Sequence, residues 1–230
     1  VALMRGVISG LRELGAEPFV VPAMGSHGGA TADGQRQMLL GMGFTPEATG
    51  CEIISSLDVT ELGEVDGLKV LFSSDALACD GLILCNRIKA HTDIVGPIES
   101  GLMKMAAIGV GKHRGALQAH SRGLHMAGKM IQTIAPVMFE KGNIIFGVGV
   151  LENSLDQTRD VVLIETGKIP VKAAIESPLD KLTMIDQRLS ERIDRALRID
   201  RRRQHLHRAR ACRTSVAFVD RRQHLQQTRK

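Results

Sequence analysis

Glycine divides this chain. All 24 glycines of its 230 residues lie at or before Gly167, and none follows. A stretch with many glycine turns between short apolar runs can fold back on itself into a packed domain, whereas a glycine-free stretch dense in arginine lacks both the turns and the surface to bury. Charge follows the same boundary. Residues 1–186 carry 16 basic and 21 acidic side chains, a net of −5; residues 187–230 carry 14 and 4, a net of +10. The overall +5 is therefore a property of the tail alone, and so is any attraction to nucleic acid that it suggests. The division predicts an α/β domain over 1–180 and an Arg-rich tail over 181–230.

Trp and Tyr are absent and Phe occurs six times, so the core must be made of Val, Ile, Leu, Met and Ala. No run reaches the ~18–20 apolar residues of a membrane span, and no secretory signal pattern opens the chain. A cytoplasmic protein is the expectation. Cys51, Cys79, Cys85 and Cys212 show no CxxC spacing, which predicts free thiols. The chain opens at Val1, without an initiator Met and already within a helical pattern, and reads as a fragment.

Leu3, Val7, Ile8, Leu11 and Leu14 recur at helical spacing before Gly15. EPFVVPA follows as a short strand, then the loop MGSHGGAT, then a second helix from ADGQRQMLLGMG with Thr31 or Asp33 as its cap. CEIIS, VTELGEV, GLKVLFS and GLILCN (81–86) read as strands, and Arg87–Pro97 as a loop. IESGLMKMAAIG, ALQAHSRG and LHMAGKMIQTIAPVMF read as helices, NIIFGVGVLE and DVVLIET as strands, and PVKAAIESPL as a helix starting at Pro170. Strands alternating with helices predict a largely parallel sheet flanked by helices. Ligands of such sheets gather at the loops beyond the strand C-termini, here GSHGGAT and 87–97.

The loop Gly25-Ser26-His27-Gly28-Gly29-Ala30-Thr31 joins glycines, hydroxyls and one imidazole at a strand-to-helix turn, where backbone N–H groups can cradle a phosphate. It is neither a Walker A loop nor GxGxxG, and a solvated histidine in a Gly-rich turn explains it equally well. Downstream, Arg87, Lys89, His91, Asp93, Glu99, Lys104, Lys112, His113 and His120 crowd among glycines, a density that suits an anionic ligand. A polar helix face accounts for Lys112, His113 and Arg114. It accounts less well for Lys104, which Leu102, Met103, Met105, Ala106, Ala107 and Ile108 enclose: such a lysine either snorkels or holds a partly desolvated, reactive amine. His125, beside Met126, is expected to pack against its helix.

Taken in order, PAMGSHGGAT, the KAHTD loop, ESGLMKMAAIGVGK and QAHSRG resemble the lactate racemase family of nickel-pincer enzymes, in a divergent branch, over roughly residues 1–180. The resemblance implies the N-terminal catalytic domain of a two-domain racemase or epimerase acting on a small 2-hydroxy acid or sugar acid. It also implies dependence on the enzymes that make a nickel pincer nucleotide. By motif, Lys104 resembles the lysine that attaches this cofactor through a thioamide, and His120 the nickel-ligating histidine sixteen residues on. His27 and His91 resemble the two acid–base histidines, with Gly28 and Gly29 beside the cofactor. The stretch between His91 and Lys104 is longer than in the family's well-studied members, and the family's upstream arginine and closing C-terminal domain are not recognisable here.

The implied chemistry suits these residue types. Removing the α-hydrogen of a 2-hydroxy acid as a proton would leave a carbanion beside a carboxylate, whereas removing it as hydride while an imidazole takes the hydroxyl proton gives a ketone. Returning the hydride to the other face inverts the centre. Two rival readings stand beside this one. A nucleotide or anion binder would keep the glycine loop without the chemistry. A nucleic-acid binder would use the tail, where Arg188, Arg192, Arg195, Arg198 and Arg201–Arg203 interleave with Leu189, Ile193, Leu197 and Ile199. Apart from Phe218 the tail has no aromatic on which a base can stack, which argues against the second rival. The tail also reads as disordered chain or as an out-of-frame end, because after Ser177-Pro178-Leu179 the family continues with a Gly-rich stretch.

Overall fold

A computed structural model of the chain describes residues 1–13, 15–88, 91, 94, 98–152, 157–165 and 215–220. In chain order the elements are α1 (Ala2–Glu13), β1 (Pro18–Pro22), α2 (Ala32–Gly41), α3 (Pro46–Thr49), β2 (Val59–Val65), β3 (Leu68–Ser73), α4 (Ser74–Leu77) and β4 (Leu82–Ile88). After these come α5 (Leu102–Lys104), a π-helical segment (Met105–Val110), α6 (Lys112–His120), α7 (Ala127–Lys141), β5 (Ile144–Glu152), β6 (Thr158–Glu165) and β7 (Ser215–Asp220). The helix expected from Pro170, and Lys89, Asp93 and Cys212, lie outside the described residues. Among the described residues Cys51, Cys79 and Cys85 form no disulfide.

The protein is mixed α/β. Its main sheet has the order β1-β7-β4-β5-β6, and β2 and β3 form a separate antiparallel hairpin. The expectation of a largely parallel sheet is corrected: among the described residues only β4 with β5 is a parallel strand pair, while β1–β7, β4–β7 and β5–β6 are antiparallel. The cause is the origin of the strands. β6 follows β5 through a short connection, which favours a hairpin, and β7 comes from the tail and enters between β1 and β4. Because β1 and β4 both run against β7, and β4 runs with β5, the strands β1, β4 and β5 still point the same way.

Alternation along the strands explains the layers. Phe19, Val21, Leu82 and Leu84 turn to one face and bury among residues of the π segment, α6 and α7, including Met105, Ala116, Met130, Ile131 and Ile134. Val20, Ile83 and Cys85 turn to the other and bury with Met4 and Ile8 of α1 and Leu39 of α2. Period-2 strands thus carry helices on both faces. Each fully buried leucine or isoleucine here contributes about 1.5–3 kcal/mol of transfer free energy. CEIIS does not form the expected strand; Ile53 makes a single parallel bridge to Val20, the central residue of β1. Within the described residues no helix is long and apolar enough to cross a membrane.

Candidate active site

Since β1, β4 and β5 share a direction, their C-terminal ends lie at one edge of the sheet. The GSHGGAT loop leaves β1 at that edge, and the chain leading to His91 leaves β4 there. A pocket of about 590 Å³, lined by Arg12, Glu17, Pro18, Glu47, Cys51 and Glu52 among others, sits at the opposite end of β1 and belongs to a different region.

The loop is made possible by backbone conformations that favour glycine. Gly25, Gly28, Gly29 and Ala30 have φ of 59, 67, 66 and 54°. Gly28 lies so close to the start of α2 that a Cβ on it would stand 2.5 Å from the Gln35 amide nitrogen. Thr31 caps α2, its hydroxyl accepting from the Gly34 amide at 3.0 Å, so Thr31 rather than Asp33 is the cap. Sequence reasoning passed over Gln35. Fully buried, it donates from Nε2 to the carbonyls of Gly25 (2.7 Å) and His27 (3.3 Å). His27 is half-buried and its imidazole makes no capping bond to the turn that follows it.

This loop packs on the segments that carry the other candidate residues. A Cβ on Gly25 would lie 3.1 Å from Ile108 Cγ2 and 3.3 Å from Ala116 Cβ. Ile108 is four residues after Lys104 and Ala116 four before His120. Gly109 permits the approach, because a Cβ there would stand 2.5 Å from the Ala23 carbonyl oxygen. The expected single helix over IESGLMKMAAIG begins instead at Leu102 and widens into the π form directly after Lys104, a local distortion that recurs at functional sites. Asn86 Nδ2, near the end of β4, donates to the Gly101 carbonyl at 3.0 Å and ties that strand to the start of the Lys104 helix. Lys104 and His120 are each half-buried, with Met103 and Met105 buried around the lysine. The helix through QAHSRG stops at His120, where the Ser121 hydroxyl folds back onto the Gln118 carbonyl at 2.8 Å.

His91 is buried, and its backbone N–H donates to Glu99 Oε2 at 3.0 Å. Its Nδ1 accepts the Ile94 amide at 3.0 Å, so the proton of the neutral ring is on Nε2.

Two expectations for the following residues are corrected. Lys112 is not part of an exposed polar face: it is fully buried at the start of α6, and its Nζ donates to the Pro22 carbonyl, at the end of β1, at 2.7 Å. Burial pushes its amine down to about 8, an effect only partly offset by the Asp75 carboxylate. Its φ of 57° is a conformation that costs a side-chain-bearing residue about 1–2 kcal/mol. His113 is half-buried with an Nδ1 that finds no hydrogen-bond partner, and Arg114 alone of the three is exposed. His125 is exposed in a short 3-10 turn rather than packed.

The chain matches no protein-family model, and no curated protein matches it.

Proposed function

We propose that the protein is a racemase or epimerase of a small 2-hydroxy acid or sugar acid, working with a nickel pincer nucleotide and resembling the lactate racemase family. One observation carries this reading: the loop of His27 packs directly on the segment that follows Lys104 and on the helix that ends at His120. Three of the four motif residues of the resemblance, His27, Lys104 and His120, therefore stand on adjoining pieces of backbone. A half-buried amine and a half-buried imidazole on adjoining segments fit a cofactor attached through one and ligated through the other. Among the described residues no group of three or more His, Cys, Asp or Glu side chains has metal-holding geometry, so the further donors to nickel would be the cofactor's own.

When bound, the cofactor supplies a hydride acceptor. The protein's part is to hold the carboxylate and to manage the hydroxyl proton. His27, on the loop, takes that proton as hydride leaves the α-carbon and gives it back on return. His91 donates a hydrogen bond from Nε2 to a substrate oxygen, a role set by the Ile94 amide on its Nδ1. The glycine turns at Gly28 and Gly29 let backbone approach the cofactor phosphate closely. The buried Met103 and Met105 would limit water around the Lys104 stem if the cofactor were attached there.

The test is a panel of α-deuterated 2-hydroxy acids given to protein produced together with the cofactor-making enzymes. Inversion with the deuterium retained is expected, and His27→Ala is expected to slow it by about 10²–10⁴-fold. Deuterium washing out into solvent at the rate of inversion would contradict a hydride route.

A further inference from the structure

The stretch Pro22–His27 is gripped from inside the protein by two fully buried polar side chains, each from a different element. Lys112, from α6, holds the Pro22 carbonyl at 2.7 Å. Gln35, from α2, holds the Gly25 carbonyl at 2.7 Å and the His27 carbonyl at 3.3 Å. Among the described residues, both side chains are short of partners for a buried polar group. The Lys112 ammonium has three N–H donors and one acceptor, on a backbone conformation that glycine adopts more readily. Gln35 Oε1 is buried without a partner. Buried groups left short of partners, and strain in the same residue, accumulate where a fixed geometry is worth more than stability.

We propose that Lys112 and Gln35 are positioning residues that clamp Pro22–His27 through its carbonyl oxygens and so fix where the His27 imidazole stands. The clamp deepens the proposed function, because His27 matters only if that function holds, yet the clamp itself is measurable without turnover. Lys112 joins α6 to β1, and Gln35 joins α2 to the loop, so the two side chains reach the loop from the two helical layers. A loop of glycines with left-handed backbone has little stiffness of its own; the clamp supplies it.

Hydrogen exchange in Lys112→Met and Gln35→Met tests this. Amides of residues 23–31 are expected to exchange about tenfold faster, the effect of losing one such bond, while amides of α7 lose none of their protection. In the loaded protein kcat is expected to fall with KM unchanged. Lys112→Gly, which relieves the backbone strain, serves as the second variant and is expected to loosen the loop equally. Unchanged loop exchange would overturn the clamp, and so would equal loss of protection in α7, which marks a general contribution to stability. A loosened loop in a protein that never inverts a hydroxy acid would keep the clamp and remove the function.

Discussion

An amine held in the interior resists its proton, and Lys112 makes that resistance measurable. Below pH 8 the folded and unfolded chains both carry the proton and the folded state bears the full desolvation cost. From about 8, where the buried amine titrates, to its ordinary 10.5, the unfolded chain still binds a proton that the folded protein has released. Stability therefore rises with pH across that window, by on the order of 3 kcal/mol. The Cys85 thiol, pushed up to about 11 by burial, works in reverse above its ordinary 9.0. Comparison with Lys112→Met removes the cysteine from the difference. In urea unfolding the variant is expected to be the more stable protein at pH 7, with the gap closing toward pH 10; a gap independent of pH would show that Lys112 is not desolvated. Nothing in the local sequence announces this burial. GKHRGAL has the polarity of a surface helix, and the partner of Lys112 lies 90 residues earlier.

At the scale of elements, the contact between the π segment and the end of β1 decides whether the candidate residues meet. Gly109→Val would drive a side chain into the Ala23 carbonyl and is expected to cost about 1–3 kcal/mol, read as a lower thermal midpoint. The same variant is expected to speed exchange at the loop amides beyond what the global loss explains. Thr31→Ala removes the cap of α2 and is expected to cost about 1 kcal/mol without reaching the Lys104 helix. Where the elements lie was legible because such signals are local: the apolar spacing of α1, the short apolar run of β3 and the bounded run of β4 are each written in a few residues. The widening after Lys104 was not legible, since the apolar spacing of that stretch suits an α-helix and the segment's close neighbours, Ala23 and Gly25, lie about eighty residues earlier. CEIIS has the composition of a strand but bridges β1 at Ile53 alone, and composition does not reveal the extent of pairing.

For the whole molecule, the order of the sheet joins residues from its two ends. β7, the SVAFVD run inside the Arg-rich tail, lies between β1 and β4 with a full antiparallel register on each side. Direction and order depend on pairings across about two hundred residues, such as Phe19 with Val219, which no window of sequence contains. Truncation after residue 186 would leave β1 and β4 without that neighbour, exposing two unpaired edges. The expected outcome is self-association on gel filtration and a lower urea midpoint, whereas an unchanged monomeric protein would show that the fold does without the tail. The shared direction of β1, β4 and β5 brings the start of the His27 loop and the end of β4 to one edge, and that much was legible from loops following strands. The proposed function requires that the Lys104 segment, the His120 helix and the His27 loop form one cofactor site. Its most direct measurement is intact mass together with nickel content after co-expression with the cofactor-making enzymes. The account predicts a mass increase that localises to Lys104, disappears in Lys104→Ala and is accompanied by about one nickel per chain, with nickel but not the adduct lost in His120→Ala. An unmodified Lys104 without nickel would contradict it.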